Sequence, residues 1–145
     1  MAGTGGRPTP GGDGSRDWVR VGGLLLRLDP ADAEPPFRQL RAQLVAACDR
    51  GVVAPGTRLP AVRTLATGLG VAPNTVAKVY RELEVAGVLE SRGRSGTFVA
   101  DAGVRDRAVT QAADEYAAVA AAAGLDDGAA VDAVRAALTR LRGGA

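Results

Sequence analysis

Four polar residues stand at helical spacing in the middle of the chain: Asn74, Thr75, Lys78 and Arg81. Offsets of three, four and seven share one face of an α-helix, so these side chains point together. Their chemistry is that of nucleic-acid contact. The Asn74 amide can pair bidentately with adenine, and the Thr75 side chain suits a thymine methyl or a phosphate. Lys78, one turn on, suits a phosphate. Arg63 lies upstream, and its guanidinium matches either guanine or phosphate, the bland alternative being a surface ion pair. Thr64 and Pro73 adjoin these residues and belong to the same candidate surface. Downstream, Arg92 and Arg94 flank Gly93, with Ser95 and Gly96 next; arginines there suit a narrow minor groove. Ala72, at the expected N-cap before Pro73, has no side-chain acceptor, which leaves backbone N–H groups available to a phosphate.

Other chemistries are poorly supplied. The 145 residues include no histidine and one cysteine, so no metal-ligand cluster is expected. There is no nucleophile–base pair and no phosphate-loop glycine pattern, so neither catalysis nor a cofactor is expected. Cys48 cannot form an intrachain disulfide and reads as a small buried hydrophobe. No apolar run has the length of a membrane span, and the start lacks the apolar centre of a signal peptide. A cytoplasmic location without membrane contact follows as an expectation.

Two amphipathic segments position the polar face. Val62, Leu65, Ala66 and Leu69 form one apolar stripe; Val76, Val79, Tyr80 and Leu83 form the other. Ala66 is small where two crossing helices approach, Gly70 supplies a left-handed turn, and Val71 and Val76 fill the corner. Pro73 opens the second helix, where its missing N–H costs nothing. The spacing predicts helices over 61–69 and 73–86 in a helix-turn-helix. A plain helical hairpin within a core is the competing reading. Tyr80 falls on the apolar stripe and is expected in the core.

Around this pair the chain reads in order. Residues 1–17 are rich in Gly, Pro, Ser and Thr and are expected to be a disordered tail. The leucine run from Leu24 predicts a short strand ended by Asp29 and Pro30. A helix follows over 36–49, with Phe37, Leu40, Leu44, Val45 and Cys48 inward and Arg38, Gln39, Arg41 and Gln43 outward. Residues 53–60 form a turn and a short extended piece. After Gly87, strands over 88–92 and 97–100 enclose Gly93–Gly96, a hairpin with a flexible, basic tip. That order of elements is a winged helix. Its charge agrees: residues 36–100 carry a formal +5, against −1 before and −2 after. A solvated basic surface would give the same count.

Residues 55–66 (Pro-Gly-Thr-Arg-Leu-Pro-Ala-Val-Arg-Thr-Leu-Ala) resemble the DNA-binding domain of GntR-type bacterial transcription regulators. The likeness continues through Gly70-Val71, Asn74-Thr75-Val76, Tyr80-Arg81-Glu82-Leu83-Glu84 and Gly87-Val88-Leu89-Glu90. It finishes at Gly96-Thr97-Phe98-Val99, covering about residues 24–100. The strand before the first helix and the Asn-Thr-Val…Tyr-Arg-Glu-Leu wording are most similar to the short YtrA-type subfamily. This chain has Val62, Pro73 and Ala77 where many members have a glutamate, an arginine and another basic residue. The resemblance therefore implies DNA binding but transfers no operator sequence.

Beyond residue 100 the rhythm changes. Val109, Tyr116 and Val119 mark one helix over 104–123; Val131, Val134, Leu138 and Leu141 mark another over 128–142. Two such helices cannot bury their stripes alone, and a two-fold dimer is the simplest way to cover them. Folding back onto the chain's own front end is the alternative. The expected class is α+β, mostly α. A winged helix-turn-helix over 18–100, with its core at 36–100, precedes a helical dimerisation hairpin over 101–145. The expected function is a sequence-specific regulator of transcription, a repressor acting as a homodimer on palindromic double-stranded DNA. A small-molecule effector of unknown chemistry stays open. So do two other roles: a winged-helix module for protein or RNA, and the detached front end of an aminotransferase-like fusion.

Overall fold

The computed structural model describes residues 18–143, so the disordered tail expected over 1–17 lies outside the described residues. Two strands come first, β1 (Trp18–Val21) and β2 (Leu24–Arg27), paired antiparallel with Val21 opposite Leu24. Only the second was expected. Gly22, with φ of +58°, makes the two-residue turn that folds the preceding segment back onto it. The alternation places Val21 and Leu26 in the core and leaves Trp18, Arg20, Leu25 and Arg27 outside.

Helix α1 (Pro36–Asp49) follows, burying Leu40, Leu44 and Ala47, while Val45 and Cys48 are half-buried. Gln39 and Gln43, expected to face outward, instead grip the hairpin. Gln43 donates to the Arg27 carbonyl at 2.7 Å, and Gln39 accepts from the Asp29 N–H at 2.8 Å. Arg41 likewise turns inward along the surface to pair with Glu82 at 2.8 Å. Amide side chains satisfy backbone groups that a short strand edge would otherwise leave open.

Helices α2 (Val62–Leu69) and α3 (Pro73–Val85) form the expected pair. Gly70, at φ +73°, closes α2: its N–H donates to the Thr67 carbonyl, and the Val71 N–H donates to that of Ala66. Leu65, Ala66 and Val76 are at most 1% exposed where the helices cross, and Val71 covers the corner half-buried. The Tyr80 hydroxyl donates to the Pro60 carbonyl at 2.6 Å, pinning α3 to the entrance of α2. Burial pushes the Tyr80 phenol well above its usual pKa. The fold favours the neutral form, so its contribution to stability is complete below the usual tyrosine value and is lost as pH rises beyond it. Tyr80→Phe is expected to lower unfolding free energy by about 1 kcal/mol, since the Pro60 carbonyl loses its donor. Urea unfolding of both proteins at neutral pH checks this.

Strands β3 (Leu89–Ser91) and β4 (Thr97–Val99) make the second hairpin, with Leu89 opposite Val99. Its tip, expected to be flexible and basic, is one turn of 3₁₀ helix, Gly93–Ser95. Arg58 bridges to Phe98, and the Leu59 N–H donates to the Thr97 carbonyl at 2.7 Å. The extended piece before α2 thus lies against β4 through an isolated bridge beside the two-stranded hairpin. Helix-turn-helix plus hairpin is a winged helix in an α+β, mostly α, chain.

Two helices end the described chain, α4 (Ala102–Ala122) and α5 (Asp127–Gly143). They are not packed backbone to backbone along their lengths. The Tyr116 hydroxyl donates to the Ala130 carbonyl at 2.6 Å across their turn. No described helix is long and apolar enough to cross a membrane.

Candidate nucleic-acid interface

The polar stripe predicted for the second helix of the pair is present on α3. Asn74, Lys78 and Arg81 are exposed along one line, with Thr75 half-buried beside them, and Val76, Val79, Tyr80 and Leu83 buried behind. Pro73 sits exposed in the first turn. Arg63 and Thr64 are exposed in the first turn of α2. Among the described residues no ion pair holds Arg63, Arg81 or Arg94, whereas Arg41, Arg92, Arg105 and Arg135 are each paired with an acid. A guanidinium without an internal partner keeps all its donors for an outside acceptor.

Lys78 is exposed but not isolated. Its ammonium lies 4.2 Å from the centre of the Phe37 ring, and Arg41 stacks on that ring at 4.9 Å. The ring holds two cations at the α1–α3 seam; Arg41 is paired with Glu82 there, and the Lys78 charge stays in solvent.

Both helices of the pair begin without side-chain caps. Ala61 precedes α2 and Ala72 precedes α3, and neither can accept from the N–H groups of the first turn. In α3, Pro73 has no N–H and the Thr75 N–H returns to the Ala72 carbonyl at 3.0 Å. The start of α2 is the richer donor site: the N–H groups of Val62, Arg63 and Thr64 have no backbone partner among the described residues. Such an end favours an anion. The sequence pointed at α3 for this feature, and the absence of Ser, Thr, Asp or Asn at residue 61 was the unused signal for α2.

The hairpin tip separates two arginines that the sequence treats alike. Arg92 lies over the Phe98 ring at 4.3 Å and pairs with Glu90 at 3.4 Å, so its guanidinium lies along the hairpin. Arg94 and Ser95 are exposed at the tip. Gly96 has φ +107°, and a Cβ there would stand 3.0 Å from Nε of Arg58. Arg58 is therefore a further basic group in this hairpin. Its place opposite Phe98 was hidden because the pairing joins residues forty positions apart.

The expected dimerisation residues are apolar and uncovered. Val109, Val119 and Leu141 are more than 60% exposed, and Val131, Val134 and Leu138 between 39% and 48%. Tyr116 is half-buried by its bond to Ala130. Apolar exposure of this extent along two helices is more than scattered surface residues provide. No group of three or more potential metal ligands occurs among the described residues.

A family profile described as "Bacterial regulatory proteins, gntR family" matches residues 36–99. The HTH-type transcriptional regulator Rv1152 of Mycobacterium tuberculosis is 50% identical over 110 residues, covering 76% of this chain and 85% of that protein. The HTH-type transcriptional repressor YtrA of Bacillus subtilis is 38% identical over 77 residues, covering 53% of this chain and 59% of that one. Among solved structures, YtrA from Sulfolobus acidocaldarius, a GntR-family transcription factor, superposes with a TM-score of 0.52 at 25% identity. That match covers 81% of this chain and 99% of the other.

Proposed function

We propose that this chain, which belongs to the gntR family of bacterial regulatory proteins and is a DNA-binding transcriptional regulator, represses transcription as a homodimer on palindromic double-stranded DNA. It is a regulator and not an enzyme, as its relatives are. The observation that carries the reading is the exposed stripe Asn74, Lys78 and Arg81, joined by Arg63 at the neighbouring helix start. In this reading α3 enters the major groove with its first turn against base edges. Asn74, Thr75 and Arg63 discriminate bases; Thr64 and the free N–H groups of α2 hold a phosphate. Pro73 starts α3 close to the groove floor. Arg81 and Lys78 neutralise phosphates, and Arg94, Ser95 and Gly96 follow the minor groove with Arg92 and Arg58 behind them.

Residues 18–100 are the reading unit and 101–145 the dimerisation arm. The exposed Val109, Val119, Val131, Val134, Leu138 and Leu141 support that division, since a second copy would cover them. In this reading the partner's arm lies against the open groove of about 440 Å³ beside Tyr116, Val131 and Val134. Repression is supported by the name of the Bacillus relative. A cytoplasmic place of action accords with a DNA target.

Competition between duplex DNA, single strands and RNA tests the polymer class: duplex is expected to win, and preference for a single strand would point to an RNA module instead. Within the duplex complex, Lys78→Ala is expected to weaken all sequences similarly and to reduce the salt slope by about one unit. Isotherms at several salt concentrations, on operator and scrambled duplex, measure both quantities.

A further inference from the structure

We propose that Gly87 and the Asp49–Arg105 pair set the spacing of the two half-sites by locking the arm to the reading unit at a fixed angle. The inference rests on the homodimer proposed above. Gly87 ends the turn between α3 and β3 with φ +77°, and a Cβ there would lie 2.7 Å from the Val104 carbonyl oxygen and 2.8 Å from Cα of Arg105. Those are backbone atoms, which cannot swing aside as a side chain can. The first turn of α4 therefore rests directly on the end of the recognition helix, at a distance only glycine permits. On the next turn face, Arg105 reaches back to Asp49, the last residue of α1, at 3.3 Å. The start of the arm is thus tied to two of the three helices of the reading unit.

An exposed ion pair alone stabilises little. Here it acts beside a backbone contact, so the two points together resist rotation of α4, where either alone leaves a pivot. In a two-fold dimer joined through the arms, that angle determines how far apart the two copies of α3 stand. Bivalent binding keeps its advantage only when both heads reach their half-sites together. Rigidity at this junction consequently becomes discrimination between operators that differ only in the separation of their halves.

The test uses the full chain and a series of duplexes whose two half-sites are moved apart one base pair at a time. The wild type is expected to prefer one spacing over neighbours two base pairs away by about tenfold or more. Gly87→Ala is expected to shift the optimum or flatten the preference below about threefold, with affinity for a single half-site within about twofold of wild type. Gly51→Ala is the matched control: Gly51 has φ +75° with nothing within 4 Å of its missing Cβ, so it carries the same backbone penalty without the collision. It should keep the wild-type profile. Should Gly87→Ala fail to fold, Arg105→Ala is read in its place; it should broaden the profile, and Asp49→Arg combined with Arg105→Asp should restore it. Profiles for folded Gly87→Ala or for Arg105→Ala that superpose on wild type overturn the proposal. A wild type indifferent to spacing, or monomeric by sedimentation, overturns the dimer reading itself.

Discussion

Arg63→Ala is expected to weaken binding to the preferred duplex by about 1–3 kcal/mol, roughly a five- to 150-fold rise in Kd. The side chain is exposed at the start of α2 and has no acidic partner among the described residues, so its removal takes nothing from the fold. Thermal unfolding should be unchanged, which separates lost contact from lost structure. Asn74→Ala is expected to cost a similar amount and to relax base preference at one position of each half-site, because a bidentate amide contact is what distinguishes adenine there. Isotherms on the preferred duplex and on single-base variants measure both effects. Unchanged discrimination in Asn74→Ala would remove that residue from base reading and leave α3 as a backbone clamp.

Leu65→Ala should have the largest effect on the fold, about 2–5 kcal/mol of unfolding free energy. Leu65 is 0% exposed at the α2–α3 crossing, beside Ala66 and Val76, where the tight turn at Gly70 gives the helices little freedom to close a void. Native domains are stable by only about 5–15 kcal/mol, so this is a large share of the total. Val85→Ala is the contrast. Val85 is 80% exposed at the end of the neighbouring helix α3, and its loss should stay within about 0.5 kcal/mol. Chemical denaturation of the three proteins gives the ranking; equal effects at 65 and 85 would mean that the α2–α3 packing is not what holds the unit together.

The helix-turn-helix was legible because its signals are local. Ala66, Gly70, Val71, Pro73 and Val76 lie within eleven residues, and each speaks for itself through size, backbone freedom or a missing N–H. The second hairpin was legible for the same reason, through Gly93 and Gly96 between short apolar runs. What the sequence hid depends on distant partners. Gln39 and Gln43 read as solvent-facing until β2 supplies the backbone groups they bind. Arg92 and Arg94 look equivalent until Phe98 and Glu90 claim the first of them. Strand β1 is only four residues long and gains meaning from β2 across the Gly22 turn. Gly87 reads as a simple helix stop, yet the close approach of Val104 is what excludes a side chain.

Selection of binding sites from a randomised duplex pool tests the central claim most directly. A reading head on α3, doubled by two-fold symmetry, predicts enrichment of an inverted repeat whose half-sites lie about one helical turn, roughly 34–36 Å, apart. The same selection with Asn74→Ala should lose information at one position in each half. A pool that enriches no duplex motif, or only asymmetric single sites, would contradict the account.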